Sequence, residues 1–127
     1  MDDESITILI VDDDDLLRES IARALTKHGY AVIEAGDGFQ ARNAFMEASG
    51  KVDLVIMDLV LPGLEGREAA NLLLARAPDV RILFTSGYTS QESARLGGVP
   101  EGHAFIRKPF DLPQLIEAVR DTLALRD

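Results

Sequence analysis

The sequence predicts a doubly wound α/β domain, a five-stranded parallel sheet with helices on both faces. Three observations predict it. Short β-branched apolar runs alternate with longer stretches whose apolar residues recur at helical spacing. The best of these runs are apolar throughout, as strands buried on both faces are. The 127 residues suit one domain, and alternation of this kind implies right-handed βαβ units.

Residues 6–11, ITILIV, form the first strand. Four aspartates follow, Asp12 to Asp15, and then a helix in which Leu17, Ile21 and Leu25 share one face. Asp14 or Asp15 caps it, and Gly29 stops it. AVIEA at 31–35 is the second strand. Gly36-Asp37-Gly38 turns the chain into a helix marked by Ala41, Ala44, Phe45 and Ala48. VDLVIM at 52–57 is the third strand. Pro62 and Gly63 mark a loop, and a third helix follows with Ala69, Leu72 and Leu73 inward, ending near Pro78. VRILF at 80–84 is the fourth strand. The stretch 87–102 holds four glycines and few large apolar residues, so a short or mobile helix within 90–96 is expected there. HAFI at 103–106 is the fifth strand. Pro109 and Pro113 bracket the start of a last helix, whose Leu112, Leu115, Ile116, Val119 and Leu123 recur at helical spacing. No repeat, low-complexity segment or linker interrupts the series. The reading is a single domain over 1–127 with its core in 5–125.

Charge narrows the function. Thirteen Lys and Arg oppose twenty-two Asp and Glu, a net charge of −9. Seven acids and no base lie in the first fifteen residues. Direct nucleic-acid binding and a polybasic membrane anchor both need clustered cations and are disfavoured. No apolar run reaches spanning length, so membrane insertion is not expected. Zero cysteines exclude a disulfide scaffold and a thiol nucleophile. An acidic start ahead of the first apolar run has the wrong polarity for a secretory signal, and a cytoplasmic location is expected.

In doubly wound sheets the ligand site lies beyond the carboxyl ends of the strands. The residues there are Asp12 to Asp15, Gly36 to Gly38, Asp58, Thr85 to Gly87, and Arg107 to Pro109. One Asp after a strand is an ordinary helix cap, but four adjacent carboxylates raise one another's pKa or call for a cation. Mg²⁺ is the simple compensation, since it takes one or two carboxylates and keeps several waters. Asp58 ends a buried strand at the same edge. It either starts a turn or, beside a metal, serves as a nucleophile forming an aspartyl phosphate. Ser86 could donate to a phosphoryl oxygen, and Lys108 would be a cation pointed into a nest of carboxylates.

These residues, in the segments ILIVDDDDLLR, VDLVIMDLVLPGLEG, ILFTSG and AFIRKPF, resemble the receiver domain of two-component response regulators. The resemblance covers nearly the whole chain and includes both chemotaxis regulators and the receivers of hybrid kinases. It implies a flavodoxin-like (βα)5 fold with strand order 2-1-3-4-5. It implies that Asp58 accepts a phosphoryl group from the phosphohistidine of a sensor histidine kinase or a histidine phosphotransfer protein. Asp13, Asp58 and the Val60 backbone carbonyl would ligate Mg²⁺, or Mn²⁺ in its place, with Asp12 helping through water. Ser86 takes the switch hydroxyl position, with Thr85 its rival, and Gly87 the small-residue position after it. Lys108 pairs with the phosphate, Lys108-Pro109 is a cis peptide, and Phe105 takes the aromatic switch position. Phosphorylation would then alter the surface of the fourth helix, fifth strand and fifth helix and bias binding of an output protein or domain. The chain would catalyse only its own phosphorylation and dephosphorylation. A homodimer is left open.

Some features depart from the family pattern. Phe105 lacks the hydroxyl of the more frequent Tyr, which removes a phenolic hydrogen bond from the switch. Val60 and Tyr88 flank the phosphorylation site and should shield an aspartyl phosphate, so self-dephosphorylation is expected to be slow. The start MDDES favours a free-standing protein or an N-terminal receiver, whereas SGYT and RKPFDLPQL resemble receivers attached to hybrid kinases. A haloacid-dehalogenase-type phosphatase is the competing enzyme reading, but Leu16 or Leu17 stands where its DxDxT motif needs Thr, and its later acidic pair is missing. A nucleotide-binding Rossmann or P-loop protein needs glycines where DDDD stands. A degenerate receiver acting only in protein interaction is disfavoured, because Asp13, Asp58, Ser86 and Lys108 are all present.

Overall fold

The computed structural model describes residues 6–49, 51–87 and 102–124. Its strands are β1 (Thr7–Val11), β2 (Ala31–Ala35), β3 (Leu54–Asp58), β4 (Arg81–Ser86) and β5 (Ala104–Arg107). The described helices are α1 (Asp15–Lys27), α2 (Gly38–Glu47), α3 (Gly66–Arg76) and α4 (Leu112–Ala124), the last being the fifth helical segment expected from the sequence. The strands form one parallel sheet in the order β2-β1-β3-β4-β5. The segment 90–96, where a short helix is expected, and Tyr88 lie outside the described residues.

Side-chain alternation divides the core in two. Leu9, Val11, Val55, Met57, Ile82 and Phe84 face α2 and α3, where Phe45 and Leu73 meet them. Ile8, Ile10, Leu54, Ile56 and Leu83 face α1 and α4, against Ile21, Leu25, Leu115 and Val119. β3 is buried along its whole length, as a central strand covered on both faces must be.

Local chemistry sets the helix starts. Asp14 caps α1 by accepting from the Leu17 amide, leaving Asp15 in the first turn. Asp37 caps α2 through the Gln40 amide at 2.8 Å. At α4, Asp111 and Gln114 exchange backbone-to-side-chain bonds of 2.8 Å, a reciprocal cap. α1 ends at Lys27 with His28 as its cap, and Gly29 follows with a φ of +91° that suits glycine.

Three expectations need correction. Leu72 is exposed; the buried residues of α3 are Gly66, Ala69, Ala70 and Leu73, the first three of them small. Asp58, Thr85 and Ser86 do not follow their strands but end them, because ladder pairing continues through Asp58↔Thr85 and Ser86↔Arg107. The inner face of α4 also includes Thr122, whose hydroxyl donates to the Ala118 carbonyl at 2.7 Å and so is tolerated among apolar neighbours.

Candidate functional site

β1 and β3 are neighbours, so Asp12, just beyond β1, and Asp58, the last residue of β3, meet at the carboxyl edge. Both are buried, at 3% and 5% exposure, while Asp13 is exposed. Oxygens of Asp12, Asp13 and Asp58 lie within 4.8 Å of one another. Lys108, just beyond β5, reaches across β4. Its Nζ lies 2.9 Å from Asp58 Oδ2 and 3.0 Å from Asp12 Oδ2. The Lys108 amide donates to the Ser86 carbonyl at 2.8 Å, which ties the lysine to the end of β4. The Lys108-Pro109 peptide is cis.

The remaining carboxylate oxygens are held by backbone. Asp58 Oδ1 accepts from the Val60 amide at 3.0 Å, and Asp12 Oδ1 from the Asp14 amide at 2.8 Å. Burial pushes the Asp58 carboxyl above its ordinary range; the Val60 amide and Lys108 pull it down and Asp12 adds to the rise, with burial prevailing. For Lys108, burial acts to lower the pKa, but Asp58 and Asp12 outweigh it and hold the ammonium above its usual value.

Lys108 pairs with Asp12 and Asp58, while the third carboxylate of the cluster, Asp13, has no ion pair with it among the described residues. The donors are hard carboxylate oxygens, two of them buried, beside an exposed third. That set suits a divalent cation such as Mg²⁺ or Mn²⁺, which takes oxygen ligands and keeps part of its water shell.

Ser86 is fully buried at the end of β4, and Gly87 lies against the Lys108 stem. The rival hydroxyl, Thr85, is buried beside Asp58 in the ladder, and its Oγ1 has no hydrogen-bond partner among the described residues. Phe105 is 38% exposed on β5. An open cleft of about 370 Å³, lined by Leu17, Gly87, Lys108, Pro109 and Phe110, lies beside the lysine. The structure thus brings Asp12, Asp13, Asp58 and Lys108 into one pocket and places Thr85 and Ser86 at its β4 wall.

Sequence reasoning passes over one participant. Arg18 Nη1 donates to the Asp12 carbonyl at 2.7 Å. Its Nε pairs with Glu34 of β2 at 3.0 Å, and its Nη2 with Asp15 at 2.9 Å. An Arg three residues after an Asp reads as an ordinary helix-surface pair. Only the β1–β2 pairing reveals the reach to Glu34.

The family model described as "Response regulator receiver domain" matches residues 8–120. The sensor kinase CckA of Brucella abortus is 37% identical over 123 residues, covering 97% of this chain and 13% of the kinase. The response regulator MprA of Mycobacterium bovis is 37% identical over 120 residues, covering 94% of this chain and 51% of the regulator. The chain therefore spans about half or less of these curated relatives. A response regulator receiver protein of Sinorhizobium medicae superposes with a TM-score of 0.83 at 30% identity, covering 98% of both chains. With the family matched from the first strand to the last helix, and the sheet order and whole fold shared, the chain belongs to the response regulator receiver domain family.

Proposed function

We propose that this receiver accepts a phosphoryl group on Asp58 from a phosphohistidine and, in the phosphorylated state, favours a different partner. The observation that carries this reading is the shared ammonium of Lys108, bridging Asp12 and Asp58 beside an exposed Asp13. An Asp58 oxygen attacks phosphorus, the P–N bond to the donor histidine breaks, and its electron pair returns to the ring nitrogen. Burial makes Asp58 a better nucleophile than a solvated aspartate, and the Val60 amide holds the plane of its carboxylate. Lys108 is already in place to pair with the added charge.

Mg²⁺, held by Asp13, Asp58 and the Val60 carbonyl with Asp12 through water, would supply charge neutralisation at the phosphoryl oxygens. Ser86 then donates to the phosphoryl group, and Phe105 turns inward from its exposed position. The partner senses the resulting surface of β5, α4 and the segment before β5, as a population shift. A histidine kinase or phosphotransfer protein would approach over exposed Leu16, at 78% exposure, and the cleft beside Lys108. No separate substrate is turned over. No helix of the described residues is long and apolar enough to cross a membrane. We infer a cytoplasmic site of action from the phosphohistidine donor.

Incubation with acetyl phosphate and Mg²⁺, followed by intact-mass measurement, tests the reading. One phosphoryl adduct is expected on the wild type and none on Asp58→Asn. An unmodified wild type, or equal adducts on both, would overturn it. The apolar Val60 beside Asp58 leads us to expect a slowly decaying adduct; a half-life of seconds would refute the shielding role.

A further inference from the structure

Arg18 directs its three guanidinium nitrogens to three parts of the fold: the Asp12 carbonyl, Glu34 on β2 and Asp15 in the first turn of α1. Its side chain is 14% exposed, so this is a seated group and not a passing surface contact. The bond to Asp12 has the widest consequence. The Asp12 carbonyl and the Asp13 N–H belong to one planar peptide. Fixing that oxygen fixes the direction in which the chain leaves towards Asp13. The neighbouring groups are fixed as well: the Asp12 amide donates to the Ala35 carbonyl at 3.2 Å, and Asp12 Oδ1 accepts from the Asp14 amide. Asp13 is the exposed residue of this loop whose carboxylate joins the pocket.

We propose that Arg18 is a positioning residue for the acidic pocket. By clamping the Asp12–Asp13 peptide against β2 it sets where the Asp13 carboxylate stands relative to Asp12 and Asp58, and with that the affinity for a divalent cation. This deepens the metal-dependent reading above and rests on it. The action is geometric. Asp15 and Glu34 already offset the guanidinium charge, so Arg18 does little to the net charge of the pocket. Lysine would keep that charge but lacks the planar multi-pronged donor set, so it should not substitute.

The test is an Mg²⁺ titration of the full chain followed by ¹⁵N amide shifts, well below the unfolding temperature. The proteins are wild type, Arg18→Lys, Arg18→Met and Glu34→Gln. The wild type is expected to saturate. Arg18→Lys should bind about tenfold more weakly, as loss of outer-shell support does at metal sites. Arg18→Met should lose at least as much, and Glu34→Gln less. If Arg18 only braces α1, its variants will unfold at lower temperature yet bind Mg²⁺ like the wild type; unchanged affinity in Arg18→Lys overturns the proposal. Should neither Arg18 variant fold, unchanged affinity in Glu34→Gln overturns it. A wild type that does not bind Mg²⁺ would instead bring down the metal reading itself, and the clamp with it.

Discussion

Asp58 shows how one residue's burial can work against the fold. Its carboxyl is held above the ordinary range, so the folded chain binds a proton there more tightly than the unfolded chain does. A group raised in this way contributes stability that is full below its unfolded pKa and lost as pH rises through its folded pKa. At neutral pH, without a divalent ion, ionised Asp58 is therefore a net cost. Asp58→Asn should stabilise the metal-free chain near neutrality, since Lys108 keeps Asp12 as its partner, and the advantage should vanish in acid. Thermal unfolding of both proteins across that range checks this. A wild type as stable as the variant at neutral pH would contradict it. Thr85 gives a second expectation at this scale. A buried hydroxyl without a partner costs about 1–3 kcal/mol, so Thr85→Val should raise the unfolding midpoint while phosphorylation proceeds. Loss of phosphorylation in that variant would move the switch-hydroxyl role from Ser86 to Thr85.

Elements carry the parts of the site that a sequence reads well and the parts it reads badly. β1, β3 and their aspartates were legible because apolar runs and carboxylates are both local signals. The exact strand ends were not, since the ladder pairing of Asp58 with Thr85 is a property of two strands together. Leu72, Leu73 and Leu74 stand in a row, and periodicity alone does not choose among them. The buried face is set by Ala69 and Ala70, which share it with Leu73 at helical spacing. Arg18 was illegible because its partners come from β2 and from a backbone carbonyl. The start of α3 is also a close approach: a Cβ on Gly66 would lie 2.0 Å from the Asp58 carbonyl oxygen. Backbone cannot yield to that as a flexible side chain could. Gly66→Ala should destabilise the chain by about 3 kcal/mol or more and displace Asp58. A urea titration would show it, and an unchanged midpoint would refute it.

At the scale of the molecule, the two halves of the core share their strands. β1, β3 and β4 each send alternate residues to α2 and α3 on one face and to α1 and α4 on the other. Neither half can dissolve without stripping the sheet from the other. Urea unfolding followed by far-ultraviolet dichroism and by tyrosine fluorescence should therefore give coincident single transitions. Separated midpoints would show that the two faces open independently. Charge follows the same architecture. The acids of the pocket lie at the ends of β1 and β3 inside the sheet, while the cation that pairs with them among the described residues follows β5 at its edge.

That placement bears on how the chain is made. Lys108 follows Asp58 by 50 positions, and a ribosome releases residues in order. Asp12, Asp13 and Asp58 are all synthesised while their counter-charge is still unmade. During that interval neither β5 nor the ammonium that pairs with Asp12 and Asp58 has been made. The last strand brings both the ladder partner of β4 and the lysine that pairs with Asp12 and Asp58. Vectorial synthesis thus makes the acids of the pocket first and their pairing cation later, with α4 following Lys108 to cover one face of the core.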